Sequence, residues 1–290
     1  MTWTDTAVDR RPLLVTGVPR SGTTWLARVL ASGTGCAMTG REPMNPHGRQ
    51  FRLGGTLTAW ARLGAPTPRQ RLALDLAYRG WTPLVYSRYG YRQQLAALPW
   101  TRVVVKDPFA MLSIPAVNAR TGAVPVLLYR HPGAVLASYR RMGWRPDIAE
   151  LERLVTLPDP PPAGDVDPVV VDMARFWTAL NATALEDLTG VHGAVVVSHS
   201  EVATGGMPAL RRLFQACGVG WDSATEARIA AAGSEGGSAN TSKTLHDLNR
   251  SPAEVAQAWR RHVPEPEVAV LEQIAGATLA ALEDRRVDLG

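Results

Sequence analysis

Short apolar runs alternate with longer amphipathic stretches along most of this chain. Leu13–Thr16 is apolar and ends in a Gly/Pro/Ser turn. Gly22–Ala31 follows, with Trp25, Leu26, Val29 and Leu30 recurring at helical spacing on one face. Thr101–Lys106 contains Val103, Val104 and Val105, and Val124–Tyr129 and Ala194–Val197 repeat that buried-strand signature. A further short strand is expected from Cys36, ending just before Glu42. Helical patterns cover Pro108–Ala119, Pro132–Arg141, Val169–Leu188, Pro208–Cys217 and Pro252–Arg261. Short β-branched strands alternating with helices predict an α/β fold, a central parallel sheet covered on both faces in a three-layer αβα arrangement.

Two stretches break this rhythm. Residues 51–100 read as helix-like and hold Trp60, Tyr78, Trp81, Tyr86, Tyr89, Tyr91 and Trp100. Residues 143–168 form a Pro-rich loop, of a length that in compact domains marks a lid or a disordered segment. Both read as additions to one domain spanning 1–290 rather than as separate domains. The aromatic residues of 51–100 suit either core packing or the wall of a substrate site.

Composition narrows the function class. With 290 residues, 46% hydrophobic and 20% charged, the chain is an ordinary soluble globular protein with ample core. A net charge of +5 permits an anionic ligand. The basic residues are scattered, with no Lys/Arg tract and no alternation with aromatics, so nothing points to nucleic acid. Cys36 and Cys217 have no metal spacing and make no disulfide framework. Met1–Arg11 lacks the apolar region of a signal peptide, and no apolar run reaches membrane-span length, so a cytoplasmic location is expected. Oligomeric state is not legible.

The chemistry starts at Gly17-Val18-Pro19-Arg20-Ser21-Gly22-Thr23-Thr24. A Gly-rich turn between strand and helix aims several backbone N–H groups at one point, and the helix N-terminus adds partial positive charge, which together make an anion site. A triphosphate loop would place lysine at Thr23. It would also need Mg²⁺ held by a strand-end carboxylate, for which Asp107 is the candidate. Lys106 beside it opposes a metal. The pattern therefore favours a single phosphate group handled without metal. A nucleotide or small-molecule kinase with a degenerate loop is the alternative, as is an anion-binding protein without catalysis.

A second element lies at Val126–Ser138. Arg130 ends a strand, Pro132 suits a helix start, and Ser138 falls on a helix face that looks back toward the strand end. A guanidinium and a hydroxyl converging there can hold another phosphate.

The first loop resembles the 5′-phosphosulfate loop of sulfotransferases, which use 3′-phosphoadenosine 5′-phosphosulfate (PAPS). Its Pro-Arg-Ser-Gly-Thr-Thr form is most similar to the tyrosylprotein and bacterial branches, since cytosolic members usually carry Lys at the position of Arg20. The resemblance spans about Leu13 to Trp259 and implies a P-loop-containing nucleotide hydrolase-like fold. It implies that Arg20, Ser21, Gly22, Thr23 and Thr24 bind the 5′-phosphosulfate and that Arg130 and Ser138 bind the 3′-phosphate. Lys106-Asp107-Pro108-Phe109 resembles the tyrosylprotein segment whose Lys stabilises the leaving group. Cytosolic members have a His base where this chain has Pro108, so the base must come from elsewhere. Glu42, after the second strand and followed by Pro43, resembles the base of the bacterial relatives, and His47 is the reserve. Ser242 and Lys243 resemble a late loop that closes over the donor, and Trp259 resembles a core Trp after that loop. The implied reaction moves a sulfuryl group from PAPS to a hydroxyl of a small molecule or carbohydrate, without metal.

Overall fold

The structure is a computed structural model that describes residues 9–161, 166–234 and 258–290. Six strands form one sheet in the order β3-β2-β4-β1-β5-β6. They are β1 Leu13–Thr16, β2 Cys36–Gly40, β3 Tyr86–Tyr91, β4 Arg102–Lys106, β5 Val124–Tyr129 and β6 Val195–Ser198. All pairings are parallel except β2 with β3. Val15 lies opposite Lys106 on one side and Val126 on the other, so β1, β4 and β5 end at one level. The five parallel strands are buried along their whole length, as their apolar runs require.

The helices are α1 Thr23–Ala31, the single turn α2 Arg52–Gly55, α3 Pro68–Tyr78, α4 Ile114–Thr121, α5 Pro132–Met142, α6 Ile148–Leu151, α7 Pro168–Asp187, α8 His199–Thr204, α9 Gly206–Ala216, α10 Ser223–Ser234 and α11 Glu265–Arg285. One apolar core lies between the sheet and α3, α4, α5, α7 and α11. A second packs α1 and α9 against the opposite face. The result is the expected three-layer α/β arrangement.

Two expectations need correction, and a third is mostly untested. Residues 51–100 are not uniformly helix-like. They contain α3, started by a Thr67/Gln70 capping box, but also β3. The Tyr-rich run Tyr86–Tyr91 has strand character and finds the free edge of β2, where pairing overrides helical spacing. The helix expected over Pro108–Ala119 begins as 3₁₀ turns over Pro108–Ser113 and restarts as α4. Pro115 near its start has no N–H to bond back into the preceding turn. The expected helix Pro252–Arg261 lies outside the described residues up to 257, and Ala258–Arg261 forms a 3₁₀ turn.

α11 was not anticipated. It packs along α7 and buries Val268, Leu271, Ala275 and Leu282. The tail beyond it reaches β6: the Val287 N–H donates to the Val196 carbonyl at 2.9 Å, and Leu289 is buried in the second core.

Candidate active site

The first turn is shaped by glycine. Gly17 has φ +150°, and a Cβ there would sit 2.1 Å from the Leu128 carbonyl oxygen, so only glycine lets the end of β1 lie this close to β5. The backbone then turns through left-handed residues Arg20 and Gly22, closed by a bond from the Ser21 N–H to the Val18 carbonyl at 3.0 Å. Gly22 caps α1 without any side-chain acceptor. The first N–H groups of α1 therefore face outward with the positive end of the helix dipole behind them.

A cavity of about 700 Å³ opens over this turn. Arg20, Gly22, Thr23, Thr24, Glu42, Lys106, Arg130 and Ser138 all line it. Ser21 does not: its side chain is fully buried and its hydroxyl has no hydrogen-bond partner, so only its backbone can serve the turn. Ser242 and Lys243 lie outside the described residues.

The two expected phosphate elements meet at Arg20. Its Nε donates to the Ser138 Oγ at 3.1 Å, and its carbonyl accepts from Arg130 at 3.4 Å. The Arg20 guanidinium also lies over the Trp144 ring, 5.6 Å from its centre. Burial, with Arg141 nearby, draws its pKa below the ordinary arginine value. The Arg130 backbone is fixed by the Trp177 indole, which donates to its carbonyl at 2.9 Å.

Lys106 and Glu42 are in direct contact. The Lys106 ammonium donates to the Glu42 carboxylate, whose other oxygen accepts from the Asn45 amide. The Glu42 N–H donates to Gln50 Oε1 at 3.0 Å. Arg41 turns away from Glu42 and donates to backbone carbonyls of Tyr86 and Arg49. His47 lines the cavity, with its ring edge against Phe109. His131 is structural: it stacks on Trp259 at 4.4 Å, and Trp259 is buried as expected of a core residue.

Asp107 takes no place in the cavity. It is fully buried, and its carboxylate accepts from the Met44 N–H at 2.5 Å and the Phe109 N–H at 3.0 Å. It thus clamps the loop carrying Glu42 to the end of β4. Burial, reinforced by the Glu42 charge, pushes its pKa up to about 8. Replacing it by Asn turns an NH₂ toward one of those amide donors, with an expected stability loss of about 1–3 kcal/mol. The unfolded carboxyl ionises near 3.8 and the folded one near 8. Between these values the unfolded state releases a proton that the folded state keeps, so wild-type stability falls as pH rises. The amide does not titrate. Urea unfolding should therefore show the stability of wild type relative to Asp107→Asn falling from about pH 5 to about pH 8, far enough to cross zero; a difference that stays flat or rises refutes the assignment.

Two cavity residues carried no role in the sequence. Trp25 and His199 stand side by side, ring centres 5.9 Å apart. His199 is 4% exposed and presses on Gly22, where a Cβ would meet its ring at 2.6 Å. Burial, with Arg130 adding, pushes its pKa down to about 3, so it stays neutral and offers hydrogen bonding rather than charge. Its Nδ1 has no hydrogen-bond partner. The available signal was position: His199 directly follows β6, at the same strand ends as the other site residues.

Among described residues the cavity wall holds five cationic side chains, Arg20, Lys106, Arg130, Arg141 and Arg145, against the carboxylates Glu42 and Asp147. No group of three His, Cys, Asp or Glu among them is placed to hold a metal ion. No described helix is long and apolar enough to cross a membrane.

No curated protein gives a significant sequence match. Among solved structures, mouse sulfotransferase SULT7A1 complexed with PAP is similar, with a TM-score of 0.51 and 12% identity over 95% of this chain and 88% of that one. At that identity the likeness establishes the fold, the P-loop-like α/β sandwich. The model of the sulfotransferase family matches residues 12–223, a span that runs from the start of β1 to the start of α10 and takes in all six strands and every cavity residue named above. The chain belongs to the sulfotransferase family.

Proposed function

We propose that this sulfotransferase moves a sulfuryl group from PAPS to a hydroxyl of a small-molecule or carbohydrate acceptor, as one domain of the bacterial and tyrosylprotein type working in the cytoplasm. The observation that carries this reading is the Lys106–Glu42 contact in the same cavity as Arg20, Arg130 and Ser138.

The residues present fit the donor. The uncapped α1 N-terminus, Arg20, Thr23 and Thr24 make a donor set for the 5′-phosphosulfate. Arg130 and Ser138 supply a fork and a hydroxyl for the 3′-phosphate. Gly22 leaves room for the His199 ring, which packs against the turn beside Trp25. Bound, PAPS supplies an activated sulfuryl group on a phosphate leaving group.

Glu42 accepts the proton of the acceptor hydroxyl. Lys106, held by a strand end, places its ammonium where negative charge develops on the leaving oxygen. Their contact keeps base and cation within one short reach of each other. Asn45 and Gln50 hold the Glu42 carboxylate and backbone in place, which limits the motion lost on reaching the transition state. Pro108 stands where cytosolic relatives place a His base, which leaves that duty to Glu42, with His47 behind it.

The test is transfer from radiolabelled PAPS to a panel of hydroxyl acceptors in excess chelator. Turnover with chelator supports sulfuryl transfer. Phosphoryl transfer from ATP that requires Mg²⁺, with none from PAPS, would establish the kinase alternative.

A further inference from the structure

Arg20 is held from two sides. Its Nε donates to the Ser138 Oγ at 3.1 Å, and its guanidinium carbon lies 5.6 Å from the centre of the Trp144 ring. Burial and the nearby Arg141 charge both work against this cation. A ring face offsets part of that cost, because its π cloud attracts a cation, and most strongly where water is excluded. Trp144 is itself fixed. Gly143 ends α5 in the left-handed region at φ +67°, and the Trp144 N–H donates to the Tyr139 carbonyl at 3.0 Å. The Trp144 ring stands edge-on to the Tyr139 ring, with centres 5.9 Å apart and planes at 90°. Trp144 is 39% exposed and lines the cavity, so core packing alone is a weak reason for a tryptophan there.

We propose that Trp144 is a positioning residue that holds the Arg20 guanidinium at Ser138, so that the cation of the first turn also serves the 3′-phosphate; this rests on the sulfuryl-transfer reading above. An arginine can do this and a lysine cannot. The guanidinium is a flat fork that lies on a ring while its Nε donates sideways, whereas an ammonium is a single point on a flexible stem. Trp144 therefore gives a reason for arginine at the position where cytosolic relatives usually carry lysine. It also orders a long side chain before the donor arrives, so that less freedom is lost on binding.

The test is calorimetry on the full chain with two nucleotides, adenosine 3′,5′-bisphosphate and adenosine 5′-phosphosulfate, the second of which lacks the 3′-phosphate. Trp144→Ala should weaken the bisphosphate about tenfold and the phosphosulfate much less. Trp144→Phe, which keeps a ring, should recover most of the loss, and Trp144→Leu, which keeps apolar bulk without one, should not. Arg20→Lys should also weaken the bisphosphate, and the double variant with Trp144→Ala should lose little more than either single one, because both remove the same contact. In turnover, the Trp144→Ala loss should fall on the PAPS KM more than on kcat. Unchanged bisphosphate affinity in Trp144→Ala, recovery by leucine, fully additive losses in the double variant, or equal losses for the two nucleotides overturns the assignment. Failure of wild type to bind the bisphosphate overturns the donor reading instead. Trp144→Leu against Trp144→Phe gives the answer if Trp144→Ala does not fold.

Discussion

Glu42→Gln is expected to lower kcat by about 10²–10⁴-fold, the usual worth of a general base, with little change in affinity for adenosine 3′,5′-bisphosphate. The amide keeps the size of the side chain and can still accept from Asn45. It cannot take a proton from the acceptor. It also gives up the charged contact with Lys106, whose ammonium then lacks its carboxylate partner. That loss falls on Lys106 directly, and on Asp107 through the Glu42 charge that helps hold its pKa up. Single-turnover measurement with saturating PAPS isolates the chemical step, and calorimetry with the bisphosphate checks the donor pocket. Wild-type turnover in Glu42→Gln would remove Glu42 as base and return the question to His47. A parallel loss of bisphosphate binding would mean that Glu42 shapes the donor pocket rather than the acceptor proton.

Arg130→Ala carries the second large effect. Charge-assisted hydrogen bonds are worth about 1.5–3 kcal/mol each, so bisphosphate affinity should fall about tenfold to a hundredfold or more. Adenosine 5′-phosphosulfate, which lacks the 3′-phosphate, should bind nearly as well as to wild type. The bond from the Trp177 indole goes to the residue 130 carbonyl and survives the substitution, so the strand end keeps its place. The two ligands titrated into both proteins give the comparison. Equal losses for both would show that Arg130 supports Arg20 through its carbonyl and does not read the 3′-phosphate.

Much of the scaffold was legible because burial on two faces leaves a plain trace. Val103–Val105, Val124–Tyr129 and Ala194–Val197 cannot stay solvated; the first two became inner strands and the third the buried edge strand β6. The turns at Gly17–Thr24 and Arg130–Ser138 were legible because glycines and an Arg at a strand end have few other uses. β3 was not, because its pattern of half-buried tyrosines carries no clean period and takes its meaning from the β2 edge. α11 escaped because Ala and Gly dilute its apolar stripe, and only α7 decides which face is buried. Asp107 was the carboxylate a triphosphate site would use, with Lys106 beside it arguing against a metal; what the sequence could not show is that it turns inward to the Met44 and Phe109 amides. Trp25 and His199 are joined by a ring contact across more than half the chain that no local pattern encodes.

Chain beyond 223, where the family match stops, still supplies one long helix beneath the sheet and a final strap beside its last strand. That strap occupies backbone on a flank that would otherwise be open to pairing with another molecule. With the Val196 carbonyl taken by the Val287 N–H, that edge offers one acceptor fewer to a strand from another molecule.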